Sequence, residues 1–398
     1  MPCMQPFASA VPRLPADVTK DRHKDRRQDR YVIIDAARGL GILGIGLCNA
    51  PGFVAPLSQA ERLPALASQT DQLLWVAEQT LMQGRFVALF SLLFGLSMLW
   101  VGGDGHDPVA NARLTRRLCW LAVFGVLHGA LLWWGDILLP YALTGLILRP
   151  CRCWSARRLL IVGVAAYAVG VGLLRIDGLV ALWNGGHIAE PLIQTLRLPP
   201  SPFLSLIKEN ATDWLTTLPQ TLPSVMLTSG PLMLIGMGLW RANRFLPRTT
   251  CPRDQWFLVG GIVAVLVSLP LALMQIGKFP VHGGLRPTDL AFLSVTMRLL
   301  VAPLGALGWL WIVAHTRKMQ DMLAPVGRLA LTAYLSQSLL ARLCLFAAPG
   351  YYGDVTYAPL MALAGFLVLL QAVAARFWCS RGWAGPAETV WRRLYRRT

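Results

Sequence analysis

Ionisable and amide side chains interrupt otherwise apolar runs in this chain, and their types allow proton abstraction and acyl transfer. His128 stands eight residues ahead of Asp136, across the turn Trp133-Trp134-Gly135. An imidazole oriented by a carboxylate is a suitable general base near neutral pH. Asn49 and Arg85 can supply donors to a developing oxyanion. His128, Asp136 and Asn49 are therefore the catalytic candidates. Asp35 and Arg38 are three residues apart, hence on one helical face and able to pair. With Gln83, Arg85, Tyr141, Arg298, Gln337 and Arg342 they make up the candidate binding residues.

Each of these residues also has a structural reading. Asp35–Arg38 can anchor the first helix, and His128 can be a neutral imidazole bonding a nearby carbonyl. Arg298 and Arg342 can pair with Asp136 or with lipid phosphate. Gln275 and Gln371 read as hydrogen-bond links between helices. Gly39, Gly41, Gly44 and Gly46 fall in one apolar helix and read as close helix packing.

The elements that must position these groups are membrane spans. Hydrophobic residues make up 55% of the chain and charged residues 14%, against about 25% charged in soluble domains. A span needs about 20 apolar residues, and ten runs qualify: Ile33–Val54, Phe86–Val101, Leu118–Trp134, Ile137–Leu148, Leu159–Leu174, Thr221–Trp240, Trp256–Ile276, Leu290–Ala314, Leu329–Ala347 and Ala358–Trp378. The fourth is short. The expected fold is an all-α polytopic bundle of about ten transmembrane helices. Its parts are a basic tail (1–30), a five-helix half (31–175), an outer loop (176–220), a second five-helix half (221–380) and a basic tail (381–398).

The formal charge of +17 is placed as a topology signal. Arginines and lysines crowd every second connection: Lys20–Arg30, Arg113–Arg117, Arg149–Arg158, Arg241–Arg253, Arg317–Arg328 and Arg381–Arg397. By the positive-inside rule these connections and both termini face the cytoplasm. That placement favours anionic lipid as partner over nucleic acid. In the outer loop, Phe203–Leu218 is amphipathic and predicts a helix on the outer surface or over a cavity. The polar, Pro-containing residues 1–30 have no early apolar core and predict no signal peptide. The eight cysteines are scattered. They read as reduced thiols with no zinc set completed, and neither a metal nor a bound cofactor is expected.

Several motifs in one order resemble a known family. They are Asp35-x-x-Arg38-Gly39, Gln83-Gly84-Arg85-Phe86 running into Phe90-Ser91-x-Leu93-Phe94-Gly95, and His128 with Trp134-Gly135-Asp136-Ile137-Leu138 and Tyr141-Ala142. Gly230-Pro231-Leu232-Met233, Gly327-Arg328-Leu329-Ala330 through Gln337-Ser338, and Gly385-Pro386-x-Glu388 complete the set. From about Tyr31 onward the chain resembles the YeiB-like family of bacterial inner-membrane proteins, which implies a multi-pass protein of the inner membrane. The N-terminal half is also similar to membrane acyltransferases of the heparan glucosaminide N-acetyltransferase kind, where an Asp-x-x-Arg-Gly opens the first helix and an Asn, matched by Asn49, lies near its outer end. No histidine follows Asn49 in the next connection, and His128 is the nearest stand-in.

That second resemblance implies transfer of an acyl group from a cytosolic thioester, with acyl-coenzyme A as candidate donor, to an acceptor on the far side. Two other functions fit the same sequence. Five spans in each half place the halves in opposite orientations, a plan common in transporters. A non-catalytic scaffold would pair Asp35, Arg38 and His128 locally and leave no cavity.

Overall fold

The computed structural model describes residues 16–54, 68–188, 203–246, 252–279, 284–347 and 356–396. Among them every regular element is helical. Thirteen α-helices follow in order: α1 Ala16–Val54, α2 Gln69–Leu81, α3 Arg85–Gly102, α4 Pro108–Leu131, α5 Leu138–Leu148, α6 Ala156–Trp183, α7 Phe203–Arg241, α8 Trp256–Gln275, α9 Pro287–His315, α10 Arg317–Arg328, α11 Ala330–Ala347, α12 Tyr357–Ser380 and α13 Pro386–Arg396. Two 3-10 turns, Arg149–Cys153 and Pro252–Gln255, join α5 to α6 and lead into α8.

Eight helical stretches are long and apolar enough to cross a bilayer, counting α2 and α3 as one stretch. The all-α membrane bundle is thus the observed fold. The two predicted spans outside that set are α5 and α11. At ~1.5 Å per residue α5 covers only ~16 Å, about half a hydrocarbon core of ~30 Å. It begins beside His128, short of the end of α4. The 3-10 turn after it completes the return: Arg149 bonds Thr115, and Arg152 bonds the Gly102 carbonyl and Asn111 at the ends of α3 and α4. The alternation of basic connections requires α5 and this turn together to return the chain.

Two predicted boundaries shift. α6 runs on to Trp183, and α7 is continuous from Phe203 through Pro219, Pro223 and Pro231. The amphipathic stretch is therefore the outward extension of a span rather than a separate surface helix. Its Asn210 bonds the carbonyls of Gly129 and Ala130 at 2.8 and 3.0 Å, closing the end of α4. Neighbouring helices re-satisfy the carbonyls that proline frees, which allows Pro270 in α8 and Pro303 in α9 as well.

α3 is the hub. Ala88, Leu89, Leu92, Leu93 and Leu96 are buried with residues of α1, α6, α7 and α9. Ends are tied by polar clips. Ser68 and Asp71 form a reciprocal cap on α2, and Asp71 also accepts from the Ala358 amide at 2.6 Å. Asp289 accepts from the Ile188 amide at 2.7 Å and pairs with His187 at 2.7 Å. At the opposite surface Glu388 of α13 accepts from the amides of Leu331 and Thr332 at 2.7 and 3.1 Å.

Candidate functional site

The end of α4 and the start of α5 hold the best-formed polar group in the bundle. His128 Nδ1 lies 2.8 Å from Asp136 Oδ1, and His128 Nε2 lies 2.9 Å from Ser338 Oγ on α11. Asp136 also accepts from the amides of Leu138 at 3.1 Å and Leu139 at 2.8 Å, so its carboxylate doubles as the cap of α5. A carboxylate only accepts. In a neutral ring Nδ1 would donate to that carboxylate, and Nε2 would accept from the Ser338 hydroxyl. His128 is 1% exposed, Asp136 3% and Ser338 1%. A Ser–His–Asp chain of this connectivity is recognised by geometry and role rather than by sequence order.

Two cavities flank this group. The outer one, about 390 Å³, is lined by Asn49, Glu78, Gln83, Trp133, Gly135 and Arg298 among others. The inner one, about 110 Å³, is lined by Arg38, Phe90, Phe94, Arg117, Tyr141 and Tyr334 among others. Ile45 borders both. The His128 ring packs 4.8 Å from Tyr334, a wall of the inner cavity, and 6.5 Å from Trp133, a wall of the outer one. The triad thus lies in the layer between the two. Tyr141 belongs to the same layer, with its hydroxyl 2.6 Å from Ser91 Oγ and donating to the Val87 carbonyl at 3.2 Å.

The outer cavity contains an ionisable side chain that span-reading overlooked. Glu78 is buried and accepts from Gln79 Nε2 at 2.6 Å. The box Ser68-x-x-Asp71 is a helix-start signal that the reading by apolar runs passes over, because its helix, α2, precedes the run that marks the second span. Between α2 and α3 the chain breaks at Gly84, whose φ is +77°. Arg85 opens α3 there. Its guanidinium donates to the Ala264 carbonyl at 3.0 Å and to Ser268 Oγ at 2.9 Å, level with the middle of α8. Arg85 is thereby turned to α8, and the oxyanion role weighed for it has no geometric support. Arg298 donates to Gln275 Oε1 at 3.3 Å.

Arg38 and Asp35 pair at 2.8 Å, and Arg38 reaches the Gly327 carbonyl at 3.4 Å. Arg117 stands over the Trp391 ring at 4.4 Å, so two guanidiniums border the inner cavity. The remaining candidates bind helices together. Gln337 donates to the Ile42 carbonyl at 3.2 Å and to Gln371 at 3.1 Å. Arg342 donates to the Leu132 carbonyl at 2.6 Å and to Asn210 at 2.5 Å. Asp136, one of the partners weighed for Arg342, is occupied by His128 and the α5 amides.

Fold and site together define a polytopic α-helical membrane protein with a buried Ser–His–Asp group between an inner and an outer cavity. Residues 243–398 match the family described as Protein of unknown function (DUF418). The chain is 30% identical over 392 residues to Uncharacterized protein YeiB of Escherichia coli (strain K12), covering 92% of this chain and 96% of that one. It is 25% identical over 398 residues to Uncharacterized protein YxaH of Bacillus subtilis (strain 168), covering 92% and 94%. No solved structure matches the chain. The protein belongs to the YeiB-like family.

Proposed function

We propose that this protein is an acyltransferase of the bacterial inner membrane, moving an acyl group from a cytosolic thioester to an acceptor that enters from the outer side. The observation that carries the reading is the Asp136–His128–Ser338 chain in the layer between two cavities of different character. Thioester-linked nucleotides are polyanions, and Arg38 and Arg117 border the inner cavity. Guanidinium groups suit phosphate recognition through their planar fork of donors. Beyond them the walls are apolar (Phe90, Leu93, Phe94, Leu121) and suited to an acyl chain. The outer cavity offers amides, a carboxylate and Arg298 to a polar acceptor.

A scaffold shares the local pairing of Asp35 with Arg38 and of His128 with Asp136, but the two cavities argue against it. The discontinuity at Gly84, beside buried Arg85 and Glu78, favours transport as the second reading, because broken helices at depth often line substrate sites. Acyl-coenzyme A binding to the detergent-purified protein, followed by thermal shift, separates the two. Donor at about 100 times its dissociation constant contributes about 2.7 kcal/mol to stability. We expect that stabilisation in the wild type and its loss in Arg38→Ala. No shift in either protein across several chain lengths would sink the acyltransferase reading and favour transport.

A further inference from the structure

We infer that Ser338 is the nucleophile of this protein and carries the acyl group as a serine ester between donor and acceptor. The inference rests on the acyl-transfer reading and makes it a two-step reaction. His128 as general base for an external acceptor requires a free ring nitrogen, and the geometry does not leave one. Nδ1 is held by Asp136 at 2.8 Å and Nε2 by Ser338 at 2.9 Å. The proton that His128 is placed to take is therefore that of the Ser338 hydroxyl. Asp136 is itself fixed by the amides of Leu138 and Leu139, so the ring cannot turn away without freeing buried donors.

A second, independent observation comes from Trp133. Its indole N–H is buried and, among the described residues, has no hydrogen-bond partner. Its ring is held by Phe53, with centroids 4.7 Å apart, and stands 6.5 Å from the His128 ring. A buried orphan donor is costly and calls for a reason. A donor in ring contact with His128, unpaired until a carbonyl oxygen becomes an oxyanion, supplies one.

In the first step Ser338 Oγ attacks the thioester carbonyl carbon while its proton passes to His128 Nε2. The carbonyl oxygen takes the negative charge beside the Trp133 indole N–H. Collapse breaks the carbon–sulfur bond, and the thiolate leaves with the proton held by His128. In the second step the acceptor hydroxyl or amine attacks the serine ester and gives its proton to His128. The carbon–Oγ bond breaks and Ser338 recovers that proton. No oxidant or reductant enters. Tyr334, one helical turn before Ser338 on α11, walls the inner cavity, so the donor carbonyl reaches the hydroxyl when that ring moves aside.

The test uses full-length protein in detergent and two probes, an alkyl fluorophosphonate and acyl-coenzyme A without acceptor, each read by mass spectrometry of the Ser338 peptide. Both probes should add their group at Ser338 in the wild type, the first with loss of fluoride. Ser338→Ala should abolish both adducts, while Ser336→Ala should keep them. Asp136→Asn and His128→Gln should slow labelling about 10²–10⁴-fold, and Trp133→Phe about 10²–10³-fold. Donor-induced thermal shifts should persist in all four site variants. Wild-type protein that binds donor yet stays unmodified at Ser338 by both probes would overturn the nucleophile and leave the acyltransferase reading standing. Fluorophosphonate labelling of Ser338 without donor binding would keep the nucleophile and remove the thioester donor. Neither labelling nor donor binding would remove both.

Discussion

Asp136 is the residue on which most of the candidate site depends. Its two oxygens receive His128, the Leu138 amide and the Leu139 amide, all in the interior. Replacing it with alanine strands three donors at once, and each buried donor left unpaired costs about 1–3 kcal/mol. Asp136→Ala should therefore destabilise the protein by about 3 kcal/mol or more in a reversible detergent unfolding assay, and Asp136→Asn by clearly less, since an amide oxygen can still accept. Equal losses would mean that shape rather than hydrogen bonding fixes this turn. The His128–Asp136 pair was readable because a short turn separates the two residues. Ser338 was visible only as a polar residue in an apolar run. Its pairing with a histidine 210 positions earlier is a product of tertiary packing, and no local periodicity encodes it. Asp35–Arg38 was legible for the opposite reason, as an i, i+3 relation within one helix.

Two elements show where span-reading works and where it stops. Hydropathy locates α3, but not the left-handed residue that turns α2 into it. Gly84 holds φ +77°, and a methyl group there would meet only the Ala302 side chain at ordinary contact distance. Its requirement is thus conformational, and a left-handed non-glycine residue costs roughly 1–2 kcal/mol. Gly84→Ala should lower stability by about that amount in the same assay. Gly84→Asn should recover part of it, because asparagine tolerates that region better. The terminal helix α13 is the second case. Its composition marks a basic tail, yet Glu388 reaches back to cap α11, also accepting from Thr332 Oγ1 at 2.5 Å, and Trp391 donates to the Arg117 carbonyl at 3.1 Å. α13 therefore closes the surface beside the inner cavity. Glu388→Ala should undock it, seen as faster proteolysis at the exposed Arg381–Ala384 turn with little change in the melting of the bundle. Unchanged cleavage would show that Trp391 and its neighbours hold the helix without the carboxylate.

At the scale of the whole molecule eight helical stretches are long and apolar enough to cross, against the ten spans expected, and the alternating charge pattern needs α5 to return the chain. α5 is half a span long, and the 3-10 turn after it carries the chain on to the ends of α3 and α4. Arg152 is buried at 1% exposure against α3 and α4, so this arginine locks the return of the chain as well as adding to the inner positive charge. The same path places the Arg38 and Arg117 border of the inner cavity on the basic side and the rim of the outer cavity on the other. A donor from one compartment and an acceptor from the other would then meet at His128 without either crossing the bilayer. Orientation is thus the premise on which the vectorial reading stands, and it can be measured directly. In a version of the protein without its eight cysteines, single cysteines at the exposed positions Trp183 and Lys278 should react with an impermeant maleimide in intact cells. Cysteines at His106 and Trp383, also exposed, should react only after the membrane is opened. Reversed labelling would place the arginine-bordered cavity outside, where acyl-coenzyme A is absent, and the donor would have to be an extracytoplasmic or lipid-borne ester. Mixed labelling of α4 and α6 would mean that α5 fails to return the chain, which would break the alternation on which the whole topology rests.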